Sequence, residues 1–126
     1  MSKNIFIACD TSKVSTAKKI IKFSNTKRLK IGYKFGLQFI NSKNGRRFIS
    51  KIKNKIIFAD LKLHDIPNTC ASAVKSIKDL KVNYLTIHIS AGYDALKASK
   101  KVCGNIKLVG VTTLTSLDNK ALKYIG

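Results

Sequence analysis

Short apolar runs recur along the chain at nearly regular intervals, and β-branched residues are common in them. Runs of this kind, bounded by polar or turn-forming residues, are typical of buried strands. They cover residues 5–8, 29–31, 56–59, 84–89 and 106–111. The pattern therefore predicts five β-strands spread over the whole chain.

Between these runs, apolar and small residues recur at three- and four-residue spacing, which is the pattern of an amphipathic helix. The sets are Val14, Ala17, Ile20 and Ile21; Phe48, Ile49 and Ile52; Ala73, Ile77 and Leu80; and Leu96, Ser99 and Val102. Residues 116–118 then predict the start of a fifth helix. Strand and helix are therefore expected to alternate along the chain.

This alternation predicts a parallel sheet. The strands are almost continuously apolar, so both faces should be buried, with right-handed crossover helices joining neighbouring strands. A doubly wound nucleotide-binding sheet would carry a glycine-rich turn after the first strand, whereas residues 9–12 read Cys-Asp-Thr-Ser. An α/β barrel is therefore favoured.

A complete (β/α)8 TIM barrel holds eight such units in roughly 250 residues. This chain of 126 residues holds five, so it is predicted to supply about the first five βα units of a TIM barrel. Residues 1–126 are expected to be the N-terminal part of a single barrel domain whose C-terminal part is absent.

The charge is extreme, because 25 Lys and Arg against 6 Asp and Glu give a net charge of +19. Such a balance suggests a polyanionic partner. The cations are mostly lysines scattered along the whole chain, however, and they are not interleaved with stacking aromatic residues. An anionic small molecule is therefore favoured over nucleic acid.

The three cysteines, Cys9, Cys70 and Cys103, form no close pair and have no histidine at metal-ligand spacing. Reduced thiols are predicted, and the cysteines are not expected to bind a metal. No stretch approaches the roughly 18 consecutive apolar residues of a membrane span, and no signal peptide follows Lys3. A cytoplasmic protein without a membrane partner is expected.

Polar residues near the ends of the predicted strands are the candidates for chemistry, because the active site of a TIM barrel lies at the carboxyl ends of its strands. They are Asp10, Lys30, Asp60, Lys62 and Thr115. Asp60 and Lys62 are two residues apart, so strand geometry points both side chains to the same face. An isolated pair of this kind would usually be only a strand-end ion pair.

The residues around that pair carry more information. They read Asp60-Leu61-Lys62-Leu63-His64-Asp65-Ile66-Pro67-Asn68-Thr69. This string resembles the third-strand motif of the orotidine 5′-phosphate decarboxylase family. Its Asp-x-Lys-x-x-Asp part also occurs in related sugar-phosphate barrel enzymes, whereas the continuation through Thr69 resembles the decarboxylase itself.

Three shorter segments resemble the same family in the same order along the chain. Residues 7–10 resemble a first-strand motif ending in a ribose-binding aspartate, residues 29–32 a second-strand lysine motif, and residues 112–116 a fifth-strand substrate-binding motif. Two departures stand out. Cys9 replaces a common leucine, and Tyr33-Lys34 follow Gly32 where Lys-Glu or Met-Glu is usual.

The resemblance implies a carboxy-lyase that converts orotidine 5′-monophosphate to uridine 5′-monophosphate and CO2, in pyrimidine biosynthesis, without a cofactor. Lys62 would stabilise the carbanion and protonate C6, Asp60 would keep Lys62 charged and oriented, and Lys30 would hold Asp60 ionised. Asp65 would be catalytic from across the subunit interface of a homodimer. The implied substrate-binding residues are Asp10, Lys30, Asp60, Lys62, Asp65, Ile66, Thr69 and Thr115.

Two other functions remain open at this point. One is a related sugar-phosphate barrel enzyme that uses the same Asp-x-Lys-x-x-Asp motif, and the other is a basic binding module without catalysis. The family keeps its phosphate-gripping loop and arginine in the C-terminal part. The 126-residue chain alone is therefore expected to be poorly active.

Overall fold

The computed structural model describes residues 3–125. Five strands form one sheet in the order β1-β2-β3-β4-β5, and every neighbouring pair is parallel. Their bounds are Asn4–Ala8 for β1, Lys30–Gly36 for β2, Ile56–Leu63 for β3, Tyr84–His88 for β4 and Lys107–Val111 for β5. The five predicted strands and their parallel arrangement are therefore confirmed.

Helices follow each strand in turn. They are α1 at Val14–Ser24, α2 at Leu37–Asn41, α3 at Lys43–Ser50, α4 at Pro67–Ser76, α5 at Tyr93–Val102 and α6 at Asn119–Ile125. Two single 3₁₀ turns add to these, at Lys78–Leu80 and Ile89–Ala91. None of the helices in residues 3–125 is long and apolar enough to cross a membrane.

Three boundaries differ from the sequence pattern. β2 continues to Gly36 although the apolar run stops at Ile31, because the next residues alternate between the two faces of the sheet instead of being uniformly apolar. β3 extends past Ala59 to Leu63 for the same reason. The predicted helix through Ala73, Ile77 and Leu80 ends at Ser76 and is followed by a separate 3₁₀ turn.

The main core lies between the sheet and the helices that cover its outer face. Alternate strand residues point into it and are almost fully buried, including Tyr33, Phe35, Ile57, Ala59 and Leu85. Residues predicted to form apolar helix faces, such as Ala17, Ile49 and Ile77, pack against them. The period-two pattern of the strands therefore separates a buried outer face from an inner, concave face.

The inner face carries a layer of three aromatic rings. Phe6, Phe58 and Tyr84 come from β1, β3 and β4, with ring centroids 5.2–5.7 Å apart. Gly32 on β2 leaves room for this layer, since a Cβ atom there would lie 2.6 Å from the Phe6 ring. The rings form an apolar floor for the residues that lie further toward the carboxyl ends of the strands.

Gly45 allows α2 and α3 to meet at a tight corner. Ser42 begins α3 by accepting a hydrogen bond from the Gly45 N–H at 3.0 Å, and its own hydroxyl donates to the Phe39 carbonyl at 2.9 Å. A Cβ atom at Gly45 would overlap the Phe39 carbonyl oxygen, and it would lie 2.5 Å from the Ser42 hydroxyl. Only glycine fits this corner without moving backbone.

Gly45→Ala is expected to destabilise the chain by about 2–4 kcal/mol, because overpacking against backbone forces the two helices apart. Gly36→Ala is the matched control, since a Cβ atom there meets nothing within 4 Å. Urea unfolding followed by circular dichroism measures both. Equal midpoints for the two variants would contradict the proposed overlap.

Candidate functional site

Three polar side chains lie on the inner face, one layer above the aromatic floor. Lys34 belongs to β2, Asp60 to β3 and Thr86 to β4, and each follows the residue of the floor layer by two positions. Two positions along a strand return the side chain to the same face. The inner face therefore changes from apolar to charged as it approaches the carboxyl ends of the strands.

Asp60 is the centre of this polar layer. Its Oδ2 accepts from the Lys62 ammonium at 2.9 Å and forms an ion pair with the Lys34 ammonium at 3.3 Å, while its Oδ1 accepts from the Thr86 hydroxyl at 2.9 Å. The Asp60 side chain is 11% exposed, against 33% for Lys34 and 44% for Lys62. One nearly buried carboxylate thus holds two ammonium groups together.

The pKa of Asp60 reflects a balance of opposing effects. Burial of the carboxyl alone would raise its pKa, but hydrogen bonds from Lys62, Thr86 and Lys34, together with the positive charge of Lys62, outweigh burial and lower it. Asp60 is therefore a carboxylate at neutral pH.

Lys62 has an unusual backbone for a strand residue, with φ at +46°. The pairing of β3 with β4 shifts register between Ala59 and Leu63, so Lys62 lies in a local irregularity of the sheet. Its N–H donates to the Thr86 hydroxyl at 2.8 Å instead of to a strand carbonyl. Backbone strain of this kind in a non-glycine residue is characteristic of functional sites.

Lys30 does not belong to this layer, and the expectation that it completes the charged network is wrong. It is the first residue of β2 and lies opposite Asn4, at the amino ends of the strands. It precedes Lys34 by four positions along β2, which corresponds to roughly 13 Å along the sheet. Lys34 takes the predicted place of Lys30 beside Asp60.

The sequence contained a signal for Lys34. The pattern Lys-x-Gly occurs twice, as Lys30-Ile31-Gly32 and as Lys34-Phe35-Gly36. A shift by four residues keeps the side chain on the same face of the strand, so alternation alone cannot separate the two lysines. Tyr33 and Lys34, which depart from the family pattern after Gly32, indicated that the match of residues 29–32 to the second-strand motif was four positions too early.

Asp10 lies at the carboxyl end of β1, where it is exposed. With residues 11 and 12 it lines a cavity of about 360 Å³, whose other wall is formed by the end of β2 and the start of α2 at Gly36–Phe39. Asp10 is thus at the same end of the sheet as Asp60. The adjoining Cys9 thiol is buried, and burial, with a smaller effect of Asp10, raises its pKa to about 11.

Asp65 and Ile66 follow β3 in an exposed loop that leads into α4, and Thr69 is an exposed residue in the first turn of α4. The Asp65 carboxylate accepts from the Ile66 N–H at 2.7 Å, and Pro67 occupies the first turn of α4 as predicted. Within residues 3–125, Asp65 forms no ion pair. The structure therefore brings Asp60 and Lys62 together but leaves Asp65 outside their contacts.

Thr115 lies in the exposed loop between β5 and α6. Nearby, a cavity of about 360 Å³ is lined by His64, His88 and residues 112–114. The two imidazole rings stack with centroids 5.0 Å apart.

Cysteine, histidine and acidic side chains are the candidate ligands for a metal ion. Cys9, Cys70 and Cys103 are free and buried, as predicted for reduced thiols. In the described part of the chain, no three His, Cys, Asp or Glu side chains form a group that could hold a metal ion.

Parallel βα units with charged side chains at the carboxyl ends of the strands define the class of α/β barrels, and here the chain provides the first five units. Residues 3–125 match the model of the "Orotidine 5'-phosphate decarboxylase / HUMPS family", and the chain belongs to that family.

Relatives named orotidine 5'-phosphate decarboxylase align with nearly all of the chain. The protein of Wolbachia pipientis subsp. Culex pipiens is 43% identical over 127 residues, which cover 97% of this chain and 54% of the relative. The protein of Ehrlichia canis is 43% identical over 126 residues, with 97% and 54% covered. The chain thus spans little more than half the length of these relatives.

Solved structures agree with this assignment. The orotidine 5'-phosphate decarboxylase of Lactobacillus acidophilus superposes with a TM-score of 0.85 at 28% identity, over 97% of this chain and 58% of that one. The enzyme of Methanocaldococcus jannaschii, solved in complex with the inhibitor BMP, gives a TM-score of 0.79 at 26% identity and covers 98% and 57%.

The position of Lys34, rather than Lys30, beside Asp60 can be tested by titrating the Asp60 carboxyl. In a ¹³C NMR titration, we expect the wild-type carboxyl to titrate below its ordinary value of 3.8. Lys34→Met should raise the pKa because it removes an adjacent positive charge, and Lys30→Met should leave it unchanged. A larger rise for Lys30→Met would return Lys30 to the site.

A second expectation concerns acid stability. Because the pKa of Asp60 is lowered by folding, its carboxylate stabilises the fold above the unfolded-state pKa of about 4, and this contribution disappears as the pH falls through the folded-state pKa. Asp60→Asn should therefore be less stable than wild type at pH 7, and the difference should shrink below about pH 4.

Urea midpoints between pH 2 and pH 7 measure that difference. Asp94→Asn, which removes a carboxylate from the exposed start of α5, controls for the change in net charge. A constant gap between wild type and Asp60→Asn over this range would contradict the lowered pKa.

Proposed function

We propose that this chain is the N-terminal portion of an orotidine 5′-phosphate decarboxylase, acting on orotidine 5′-monophosphate and releasing uridine 5′-monophosphate and CO2 in pyrimidine biosynthesis. The five βα units would belong to one TIM-barrel domain, which the C-terminal portion completes. The proposal rests on the family match and on one feature of the site. That feature is the Asp60 carboxylate shared by the ammonium groups of Lys34 and Lys62.

Loss of CO2 from the pyrimidine ring leaves an electron pair at C6, and no neighbouring group delocalises it. The bond between C6 and the carboxylate carbon breaks, CO2 departs, and the pair remains on C6. The Lys62 ammonium then transfers a proton to C6, and solvent returns a proton to the lysine. Because the negative charge moves onto C6 only as the reaction proceeds, Lys62 stabilises the transition state more than the substrate.

Asp60 and Lys34 prepare Lys62 for this step. The Asp60 carboxylate keeps Lys62 protonated and fixes the direction of its ammonium group, which lies 2.9 Å away. Lys34, at 3.3 Å from the same carboxylate oxygen, offsets the cost of keeping Asp60 ionised beneath the substrate. The alternating charges are therefore Lys34, Asp60 and Lys62, with Lys34 in the role first assigned to Lys30.

The remaining substrate contacts lie around the rim of the sheet. Asp10, at the end of β1, would bind a ribose hydroxyl, and Thr115, after β5, would contact the substrate from the opposite side. Asp65, Ile66 and Thr69 are exposed in the described chain. Their exposure supports a homodimer in which residues 65–69 reach the neighbouring subunit's active site.

The chain alone is expected to be poorly active. β1 and β5 are the two edges of the five-stranded sheet, and each leaves backbone groups without a strand partner on one side. Three further strands would pair with both edges and close the barrel. The cytoplasmic location and the absence of a cofactor stay predictions.

The decisive assay measures loss of orotidine 5′-monophosphate absorbance by this chain, with and without the separately produced C-terminal portion of the Wolbachia relative. Turnover is expected only when both portions are present. Lys62→Ala should reduce kcat by at least about 1,000-fold, since general acid catalysis and charge stabilisation are lost together.

Lys34→Ala and Lys30→Ala form a matched pair in the same assay. Removing Lys34 should reduce kcat strongly, whereas removing Lys30 should change it less than about twofold, as for a distant surface residue. No turnover in a folded, reconstituted complex would contradict the decarboxylase and favour the related sugar-phosphate chemistry. Full turnover by the isolated chain would contradict the need for the C-terminal portion.

A further inference from the structure

Thr86 is a buried polar residue in an otherwise apolar part of β4. It lies in the middle of β4, is 6% exposed, and is surrounded along the strand by the buried residues Leu85 and Ile87. A valine would have the same shape and would suit an apolar strand better. A hydroxyl at this position therefore needs partners, and the structure provides two.

Both partners belong to the charged layer. The Thr86 hydroxyl donates its single proton to Asp60 Oδ1 at 2.9 Å, and its oxygen accepts from the Lys62 backbone N–H at 2.8 Å. One hydroxyl thus joins the side chain of the central carboxylate to the backbone of the residue that carries the catalytic ammonium. The direction of both bonds is fixed, because a carboxylate only accepts and an N–H only donates.

The bond to Lys62 compensates for the irregular backbone there. Lys62 has φ at +46° within the register shift between Ala59 and Leu63, and its N–H donates to the Thr86 hydroxyl. An unpaired N–H near the buried sheet would favour a return to ordinary strand geometry. Thr86 therefore stabilises the backbone conformation from which the Lys62 side chain turns back toward Asp60.

The bond to Asp60 fixes the carboxylate plane. With Oδ1 held by Thr86, Oδ2 is the oxygen that faces both ammonium groups, at 2.9 Å from Lys62 and 3.3 Å from Lys34. Rotation of the carboxylate would break the Thr86 bond and exchange the two oxygens. A single buried hydroxyl thus sets the orientation of the Asp60 carboxylate and of the backbone at Lys62.

We infer that Thr86 is a positioning residue, which holds Asp60 and Lys62 in their reactive geometry through one bridging hydroxyl. This role requires no contact between Thr86 and the substrate. This inference rests on the proposed decarboxylase function for its catalytic consequence, but its structural part concerns the chain itself and is measurable without turnover.

The first test uses Thr86→Val and Thr86→Ser in the ¹⁵N-labelled chain. Valine keeps the shape and removes the hydroxyl, whereas serine keeps the hydroxyl. In Thr86→Val, hydrogen exchange of the Lys62 amide should be at least about 10-fold faster, and the pKa of the Asp60 carboxyl should rise, since each loses a hydrogen bond. Thr86→Ser should restore both values toward wild type.

Thr16→Val, on the exposed face of α1, is the control for the same chemical change elsewhere. It should alter neither the Lys62 amide nor the Asp60 titration. An unchanged Lys62 amide and Asp60 pKa in Thr86→Val would overturn the inference. So would equal changes in Thr86→Val and Thr86→Ser, because the hydroxyl would then not be the cause.

The second test uses the complex reconstituted with the C-terminal portion. Thr86→Val should lower kcat by about 10- to 100-fold with a smaller change in KM, as expected for loss of a hydrogen bond to a charged group, and Thr86→Ser should recover most of it. A fall in kcat that serine does not recover would overturn the catalytic part.

The two tests separate the inference from the proposed function. If no variant and no wild-type complex turns over substrate, the decarboxylase proposal fails while the amide exchange and titration still decide the role of Thr86. If wild type is active and Thr86→Val is equally active, the decarboxylase stands and the positioning role is refuted.

Discussion

The ion pair of Asp60 with two lysines is the interaction on which the rest of the site depends. A carboxylate that is 11% exposed would be protonated or costly if it stood alone. Lys34 and Lys62 balance its charge, Thr86 binds its second oxygen, and the four groups come from three neighbouring strands. The order of those strands in the sheet is therefore what assembles the site.

The aromatic layer lies next to this charged layer on the inner face of the sheet. Phe6, Phe58 and Tyr84 fill the inner face two residues below it, with Phe58 and Asp60 on the same strand. The Asp60 side chain above these rings is only 11% exposed, so its interactions are stronger than those of an exposed surface pair. The scattered lysines that give the chain its charge of +19 lack this setting.

Hydrophobic periodicity was sufficient to predict the five strands and the parallel sheet, because buried strands and amphipathic helices leave strong patterns. The barrel was favoured over a doubly wound sheet only because residues 9–12 lack a glycine-rich turn. The pair Asp60 and Lys62 was also predictable, since the spacing and the surrounding motif agreed. Lys34 was not found, because Lys30 has the same Lys-x-Gly pattern and lies on the same strand face. Only the pairing of β2 with β1 and β3 shows that Lys30 lies at the amino ends of the strands, whereas Lys34 is close enough to reach Asp60.

Thr86 was missed for a different reason. A threonine in a β-branched strand looks like a packing residue, and its two hydrogen bonds depend on the irregular backbone at Lys62, which no sequence pattern announced. Asp65, Ile66 and Thr69 were predicted from the motif, and in the described chain all three are exposed and lie outside the contacts of Asp60 and Lys62. Local sequence thus predicted the elements better than the contacts between them.

The order of strands in the sheet is the same as their order in the chain, and every strand pairs with the one made immediately before it. Each pairing spans a single helix-containing crossover rather than joining distant segments. The entropy cost of every step therefore stays low. During synthesis, the sheet can therefore grow strand by strand from its N-terminus, and the Asp60 network can assemble as soon as β4 emerges from the ribosome.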